Sequence, residues 1–216
     1  MSLSKDEILA AALRLADRQG LHRLTMRALA EELGQPPMNL YSHVANKEQL
    51  LDELLDSVFA ELTALPPDWP EDWLEQTRLS MRDLRRVLRT HPGVVPLMIT
   101  RGALGPHSMK AQDILLGILR RGGLDGPTIA RGANALINYT VGVVVFETAR
   151  TIGPAAASLS EDDRREQLRH FFRSLPKDEM PNAVELADHL ALFSSDEQFE
   201  YGLEQHLRSL AADAGR

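Results

Sequence analysis

The sequence predicts an all-α protein: an N-terminal helix-turn-helix unit of three helices, followed by a larger helical domain. Three observations carry that prediction. Apolar residues recur at three- and four-residue spacing through most of the 216 residues, which is the period of one helix face. No two alternating runs flank a hairpin turn, so strands leave no signal. Helix-starting Ser, Thr and Asn and helix-ending Gly bracket one periodic stretch after another. With 44% hydrophobic and 25% charged residues, the composition is that of an ordinary globular chain. Aromatics make up only 5%, so the core must come mainly from Leu, Ala, Val, Ile and Met. Cysteine is absent, which excludes disulfides, thiolate metal sites and a Cys nucleophile, and fits a reducing compartment.

Ser4 and Glu7 form a capping box ahead of Ile8, Leu9, Ala12, Leu13, Leu15 and Ala16, and Gly20 stops that first helix. Thr25 caps a second, short helix carrying Ala28, Leu29 and Leu33, which Gly34 ends. A brief segment from Gln35 to His43 follows. Pro36 and Pro37 stand at its start, where a missing N–H costs nothing. Asn46 caps the next helix, on which Leu51, Leu54, Leu55, Val58 and Leu62 share a face. The run Pro66-Pro67-Asp68-Trp69-Pro70 breaks the pattern, and we place the domain boundary there, between residues 1–65 and 66–216.

The second domain opens with a helix from about Glu71 to Thr90, ended by His91-Pro92-Gly93. A short apolar helix from Val94 to Thr100 and one from Ser108 to Arg121 follow. Pro127 begins a long helix reaching roughly Thr151. Ser160 with Asp163 caps an Arg-rich helix ending near Ser174, acids first and bases last as the helix dipole prefers. Pro181 to Phe193 is expected as one short helix. Ser195 caps the last, with Phe199, Leu203, Leu207 and Leu210 on one face. Gly153–Ser160 and Leu175–Met180 are expected loops.

The net charge of −7 argues against bulk attraction to nucleic acid. The sum hides a local variation: from Gln35 to Lys47 there is one Lys and no acid. No basic stretch followed by an apolar run opens the chain, so no signal peptide is expected. The most apolar segment, Ala133 to Phe146, is shorter than the ~20 residues of a membrane span and is expected to be a buried helix. The protein is expected to be cytoplasmic.

Three short helices within the first 45 or so residues suit a helix-turn-helix, whose second helix enters the major groove; they suit the start of any helical bundle as well. The helix after Gly34 is polar on one side (Gln35, Asn39, Ser42, His43) and apolar on the other (Leu40, Val44). The stretch Thr25-x-x-Ala28-Leu29-Ala30-x-x-Leu33-Gly34, followed by Leu40-Tyr41-x-His43-Val44-x-Asn46-Lys47-x-x-Leu50-Leu51, resembles the DNA-binding domain of the tetracycline-repressor (TetR) family. The resemblance runs without a gap from Leu3 to about Leu62. The tail, Phe199-Glu200-Tyr201-Gly202-Leu203-Glu204, resembles the close of the tetracycline repressors' C-terminal domain.

The resemblance implies an all-helical, homodimeric transcriptional regulator, usually a repressor, released from a palindromic operator by a small molecule. Thr25, Arg27, Tyr41, His43 and Lys47 would hold phosphates, which sets register without reading sequence. Gln35, Pro36, Pro37, Met38 and Asn39 would face bases. Gln35 and Asn39 suit adenine, while Pro37 and Met38 suit a thymine methyl. The position of Pro37 is polar in the tetracycline repressors, so the operator should differ. Bland readings stand beside these: Tyr41 packing its ring, Arg27 pairing with Glu31, His43 capping.

The helices near 127–151 and 196–211 are the expected dimer surface. Leu97, Met98, Thr100, Arg101, Gln112, Leu116, Asn138, Tyr139, Val143, Phe146 and Glu147 are candidate ligand-binding residues, although plain core packing suits Leu97, Leu116 and Val143 as well. Tetracycline repressors carry a magnesium-binding His just before a Thr-Arg pair. Here Thr100-Arg101 is present with Leu97 at that position, which argues against magnesium–tetracycline as the ligand. No metal and no cofactor is expected. The other functions weighed are an all-helical enzyme, for which no phosphate loop, nucleophile elbow or metal pair appears, and a protein-interaction module without DNA binding.

Overall fold

The structure, a computed structural model, describes residues 3–63, 68–151, 160–192 and 196–215, and all the regular elements there are helical. In chain order they are α1 (Lys5–Gln19), α2 (Met26–Leu33), α3 (Pro37–Tyr41), α4 (Lys47–Phe59), α5 (Trp73–Thr90), α6 (Val95–Thr100), α7 (Pro106–Arg121), α8 (Gly126–Thr151), α9 (Glu161–Arg173), α10 (Pro181–Glu185), α11 (Ala187–Leu190) and α12 (Asp196–Ala214). Single 3₁₀ turns follow α4 (Ala60–Leu62) and precede α6 (Pro92–Val94).

The expected starts and stops appear with few shifts. Ser4 and Glu7 make the reciprocal capping box of α1. Thr25 caps α2 by accepting from the Ala28 N–H at 3.0 Å, and Asn46 caps α4 by accepting from the Gln49 N–H at 2.8 Å. α5 starts later than expected because Asp72 caps it, accepting from the Glu75 N–H. α7 starts earlier, at Pro106, where proline's fixed φ suits a first turn. The single helix expected from Pro181 to Phe193 is broken: Leu186 leaves helical geometry (φ −92°, ψ 11°), separating α10 from α11. Phe193, the Ser195 cap and most of the Gly153–Ser160 loop lie outside the described residues.

α1, α2 and α4 enclose a small core of Ile8, Leu15, Leu24, Leu29, Leu50 and Leu54, all buried. α3 hangs on it by Leu40 and Val44, which are 0% and 1% exposed. The α2–α3 turn needs Gly34: its φ of +62° is left-handed, and the Gln35 N–H reaches back to the Ala30 carbonyl at 2.9 Å in a Schellman closure. The same core continues without interruption into Leu84, Leu88, Leu119, Leu136, Phe199 and Leu203 of the later helices.

α8 corrects one expectation. Its stretch Gly126–Thr148 is long and apolar enough to cross a membrane, with a mean hydropathy of 1.3, where the sequence suggested too short a run. In the fold it packs on α5, α6, α7 and α12 through Ala133, Leu136, Thr140 and Val144.

α12 docks on α5 through a ladder of ion pairs. Arg78 donates to Glu204 at 2.6 Å, Arg82 to Glu200 at 2.8 and 2.9 Å, and Arg85 and Arg89 to Asp196 at 2.6 and 3.1 Å. Beneath the ladder, Arg85 lies 4.5 Å above the Phe199 ring. Tyr139 stacks on the same ring, and its hydroxyl donates to the Gln198 and Phe199 carbonyls at 3.0 Å.

Hydrogen bonds from Arg85 and Arg78 hold Asp196 and Glu204 below the ordinary carboxylate range. Carboxyls depressed by folding contribute stability above their unfolded values of about 4 and lose it as pH falls through the folded values. The contribution of these two pairs to the unfolding midpoint is therefore expected to be lost below about pH 4, modestly because both carboxyls are partly exposed. The Asp196→Asn, Glu204→Gln double variant should show a shallower decline; equal slopes would remove the ladder from the stability of the fold.

Candidate DNA-reading helix and ligand cavity

α3 presents its polar side to solvent. Met38 is 77% exposed, the highest of the large apolar side chains on the reading unit, and Tyr41 is 48% exposed. Pro36, Pro37 and Asn39 are exposed beside them. Gln35 and Asn39 face each other one helical turn apart, the Asn39 side-chain amide donating to Gln35 Oε1 at 3.0 Å. That contact pre-orients two amides of the kind that read adenine.

The flanking candidates divide. The Thr25 side chain is spent as a helix-cap acceptor, while its O–H remains a donor at an open helix N-terminus. Arg27 does pair with Glu31, at 3.0 Å, but both side chains are largely exposed, and such pairs are weak. His43 is half-buried at the end of α3, its N–H bonded to the Leu40 carbonyl. Lys47, the first residue of α4, has no ion pair among the described residues. Its acidic neighbour Glu48 is held by Arg101, which also takes Asp52 at 2.8 Å. The hydrogen bond to Glu48 and the charge of Asp52 raise the Arg101 pKa further. Arg101 thus offsets part of the negative charge of Glu48 and Asp52, which follow Lys47 on α4.

Arg101 therefore belongs to the seam between the reading unit and the later helices, and does not line the cavity it was assigned to. Asp56 makes a second seam contact. Its buried carboxylate accepts from the N–H groups of His107 and Ser108 at 3.2 and 2.9 Å and from the Ser108 hydroxyl at 2.9 Å. α7 has no side-chain cap of its own, so α4 supplies one across the seam, a carboxylate at the positive end of the helix dipole. Gly105 is required there: a Cβ would fall 2.2 Å from the Asp56 Cγ. A third contact joins α1. Asp17 accepts from the Gly93 N–H at 2.9 Å and meets His91 Nδ1 at 3.1 Å, while His91 Nε2 meets Glu61 at 3.0 Å. Gly93 lies so close to the backbone of Ala16 that a Cβ would stand 2.5 Å from it.

A cavity of about 480 Å³ opens between α5, α7 and α8, closed toward the reading unit by α6 and the end of α4. This is the size of a drug-like ligand site. Of the expected ligand residues, Met98, Gln112, Asn138 and Phe146 line it. Leu97 is buried in the core and Leu116 packs against it. The Thr100 hydroxyl donates to the Pro96 carbonyl at 3.0 Å. Tyr139 faces α12, Glu147 is tied to Arg85 at 2.5 Å, and Val143 lies off the lining.

Helix phase explains the division on α8. Asn134, Asn138, Val141, Gly142 and Val145 fall on one face, and one residue further turns a side chain by about 100° away. Phe59, Trp69, Met81, Ala111 and Leu115 line the cavity unforeseen; their apolar spacing is that of any core residue. Among the described residues, no group of three or more His, Asp or Glu stands ready for a metal ion.

An exposed helix after a Gly-bracketed turn, joined to a helical body with an internal cavity, is the architecture of a ligand-responsive DNA-binding regulator. Residues 8–54 match the family model of bacterial regulatory proteins of the tetR family, and residues 65–213 match that of the tetracyclin repressor-like C-terminal domain. The chain belongs to the TetR family of transcriptional regulators. It is 35% identical over 146 residues to an HTH-type transcriptional regulator of Saccharopolyspora erythraea, covering 68% of this chain and 61% of the relative. It is 31% identical to the class A tetracycline repressor of Escherichia coli, covering 68% of each. The crystal structure of apo ActR from Streptomyces coelicolor superposes with a TM-score of 0.83 at 34% identity, covering 100% of this chain and 98% of that one. ActR in complex with actinorhodin gives 0.83 at 35% identity, covering 100% of both.

Asp56→Ala should strip α7 of its cap and leave the His107 and Ser108 N–H groups, the second of them buried, without their acceptor. A loss of about 1–3 kcal/mol is expected from urea unfolding; a change within about 0.5 kcal/mol, as for an ordinary surface site, would mean the seam contact is dispensable.

Proposed function

We propose that the chain acts as a cytoplasmic, homodimeric repressor, not an enzyme, that holds a palindromic operator through α3 and is released by a small molecule in the α5–α7–α8 cavity. In this reading the division falls between residues 1–65, which bind DNA, and residues 66–216, which sense and dimerise. The observation that carries it is the exposed α3 face, with Met38 outermost and, beside it, Lys47, which has no ion pair among the described residues. Gln35, Pro36, Pro37, Met38 and Asn39 read bases; Thr25, Arg27, Tyr41, His43 and Lys47 hold phosphates.

Dimerisation uses the faces near 127–151 and 196–211, where Arg131 and Ala135 of α8 and Tyr201 and Arg208 of α12 are exposed. A two-fold dimer places half-sites about 34–36 Å, or a multiple, apart. Phe59, Trp69 and Phe146 in the lining support a ring-containing ligand, as does the structure of ActR with actinorhodin. The ligand acts where the cavity wall and the seam share residues. Ser108 lines the cavity and also holds Asp56 of α4, so displacement of the α7 start moves the helix on which α3 is set.

Titration of the purified protein onto its own upstream DNA should give retardation that weakens with salt. Lys47→Ala is expected to lower affinity for every sequence alike and reduce the salt slope by about 1, whereas Met38→Ala shifts sequence preference. Binding that ignores salt would defeat the proposal. A compound recovered from the purified protein by mass spectrometry should lower operator affinity by about 5–150-fold; an extract that leaves affinity untouched would exclude it as the inducer.

A further inference from the structure

Charge is distributed one-sidedly around the cavity. Asp83 is the single titratable side chain among the described residues that line it, which include no Lys, Arg or His. The other polar groups are neutral. Ser80 and Ser108 are already engaged, with the Gln76 carbonyl and with Asp56. Gln112, Asn134 and Asn138 have amides without a hydrogen bond among the described residues. Trp69 has a buried indole N–H without a partner among the described residues. The rest of the wall is apolar, including Phe59, Met81, Leu84, Leu115, Ile137 and Phe146.

Asp83 itself is half committed. Its Oδ1 accepts from Arg86 Nε at 3.2 Å, across a pair in which both side chains remain about half exposed, so the carboxylate is only weakly offset. Arg86 does not line the cavity. The second oxygen, Oδ2, has no hydrogen bond among the described residues.

A ligand carboxylate entering this space would meet a like charge at Asp83 and no cation among the described residues that line it. An ammonium would gain a partner, and a neutral hydroxyl would gain an acceptor. Resting on the ligand-release reading above, we propose that the cavity selects a cationic or uncharged ring-containing molecule and rejects carboxylates, with Asp83 as the residue that sets this preference.

The test uses three probes of one shape: 2-(aminomethyl)anthraquinone, 2-(hydroxymethyl)anthraquinone and anthraquinone-2-carboxylate. Binding to the full chain is followed at constant salt by quenching of tryptophan fluorescence, since Trp69 stands in the wall, and by calorimetry. The amine is expected to bind at least about tenfold tighter than the carboxylate, with the alcohol between them. Asp83→Asn should collapse that amine-to-carboxylate ratio toward unity. Glu185→Gln, the same charge change on exposed α10, should preserve it. A carboxylate that binds as well as the amine, or a ratio that Asp83→Asn leaves unmoved, overturns the assignment. Failure of all three probes to bind, while operator DNA is still retained, overturns the use of this cavity and the charge preference with it.

Discussion

The carboxylate of Asp56 sits where two demands meet. α7 begins at the seam with its first N–H groups pointing toward α4 and no cap of its own, and a buried helix start without acceptors is costly. Asp56 supplies the acceptors from α4, and Gly105 leaves room for it. With Asp17 holding Gly93 and Arg101 holding Glu48 and Asp52, the seam is a line of carboxylates from the reading unit set against donors from the later helices. The polar contacts give direction to an interface whose apolar core runs through both parts without a break.

That arrangement makes α4 serve both ends of the molecule. Its first residue, Lys47, stands by α3, while Glu48, Asp52 and Asp56 follow at four-residue intervals along the face turned to α6 and α7. Arg101 also offsets part of the charge of Glu48 and Asp52 beside α3, in a chain whose net charge is −7. The cavity lies one layer behind, sharing Ser108 with the seam.

Helix α8 shows how strongly context redirects an apolar pattern. Its composition would suit a membrane span. In the fold one stripe is core, an adjacent stripe lines the cavity, and Tyr139 and Glu147 turn to α12 and α5. α12 is fastened from the other side by the arginine ladder of α5, whose charges lie along one face at helical spacing.

Capping residues, glycine stops and helical spacing are local properties, written in residues three or four apart, and so the helices, the Gly34 turn and the exposed face of α3 could be read directly. Motif likeness identified the family from Thr25 to Leu51. The seam and the cavity lay beyond such reading. Arg101 had the look of a ligand residue because its Thr-Arg setting resembled one; its real partners, Glu48 and Asp52, are some fifty positions earlier and meet it by packing alone. Asn138 and Tyr139 are neighbours in the chain, yet one faces empty space and the other α12, a choice made by the rotation of α8 against its neighbours. Residues lining a cavity and residues filling a core share the same apolar chemistry and spacing, and what separates them is whether an opposing helix comes close enough to touch.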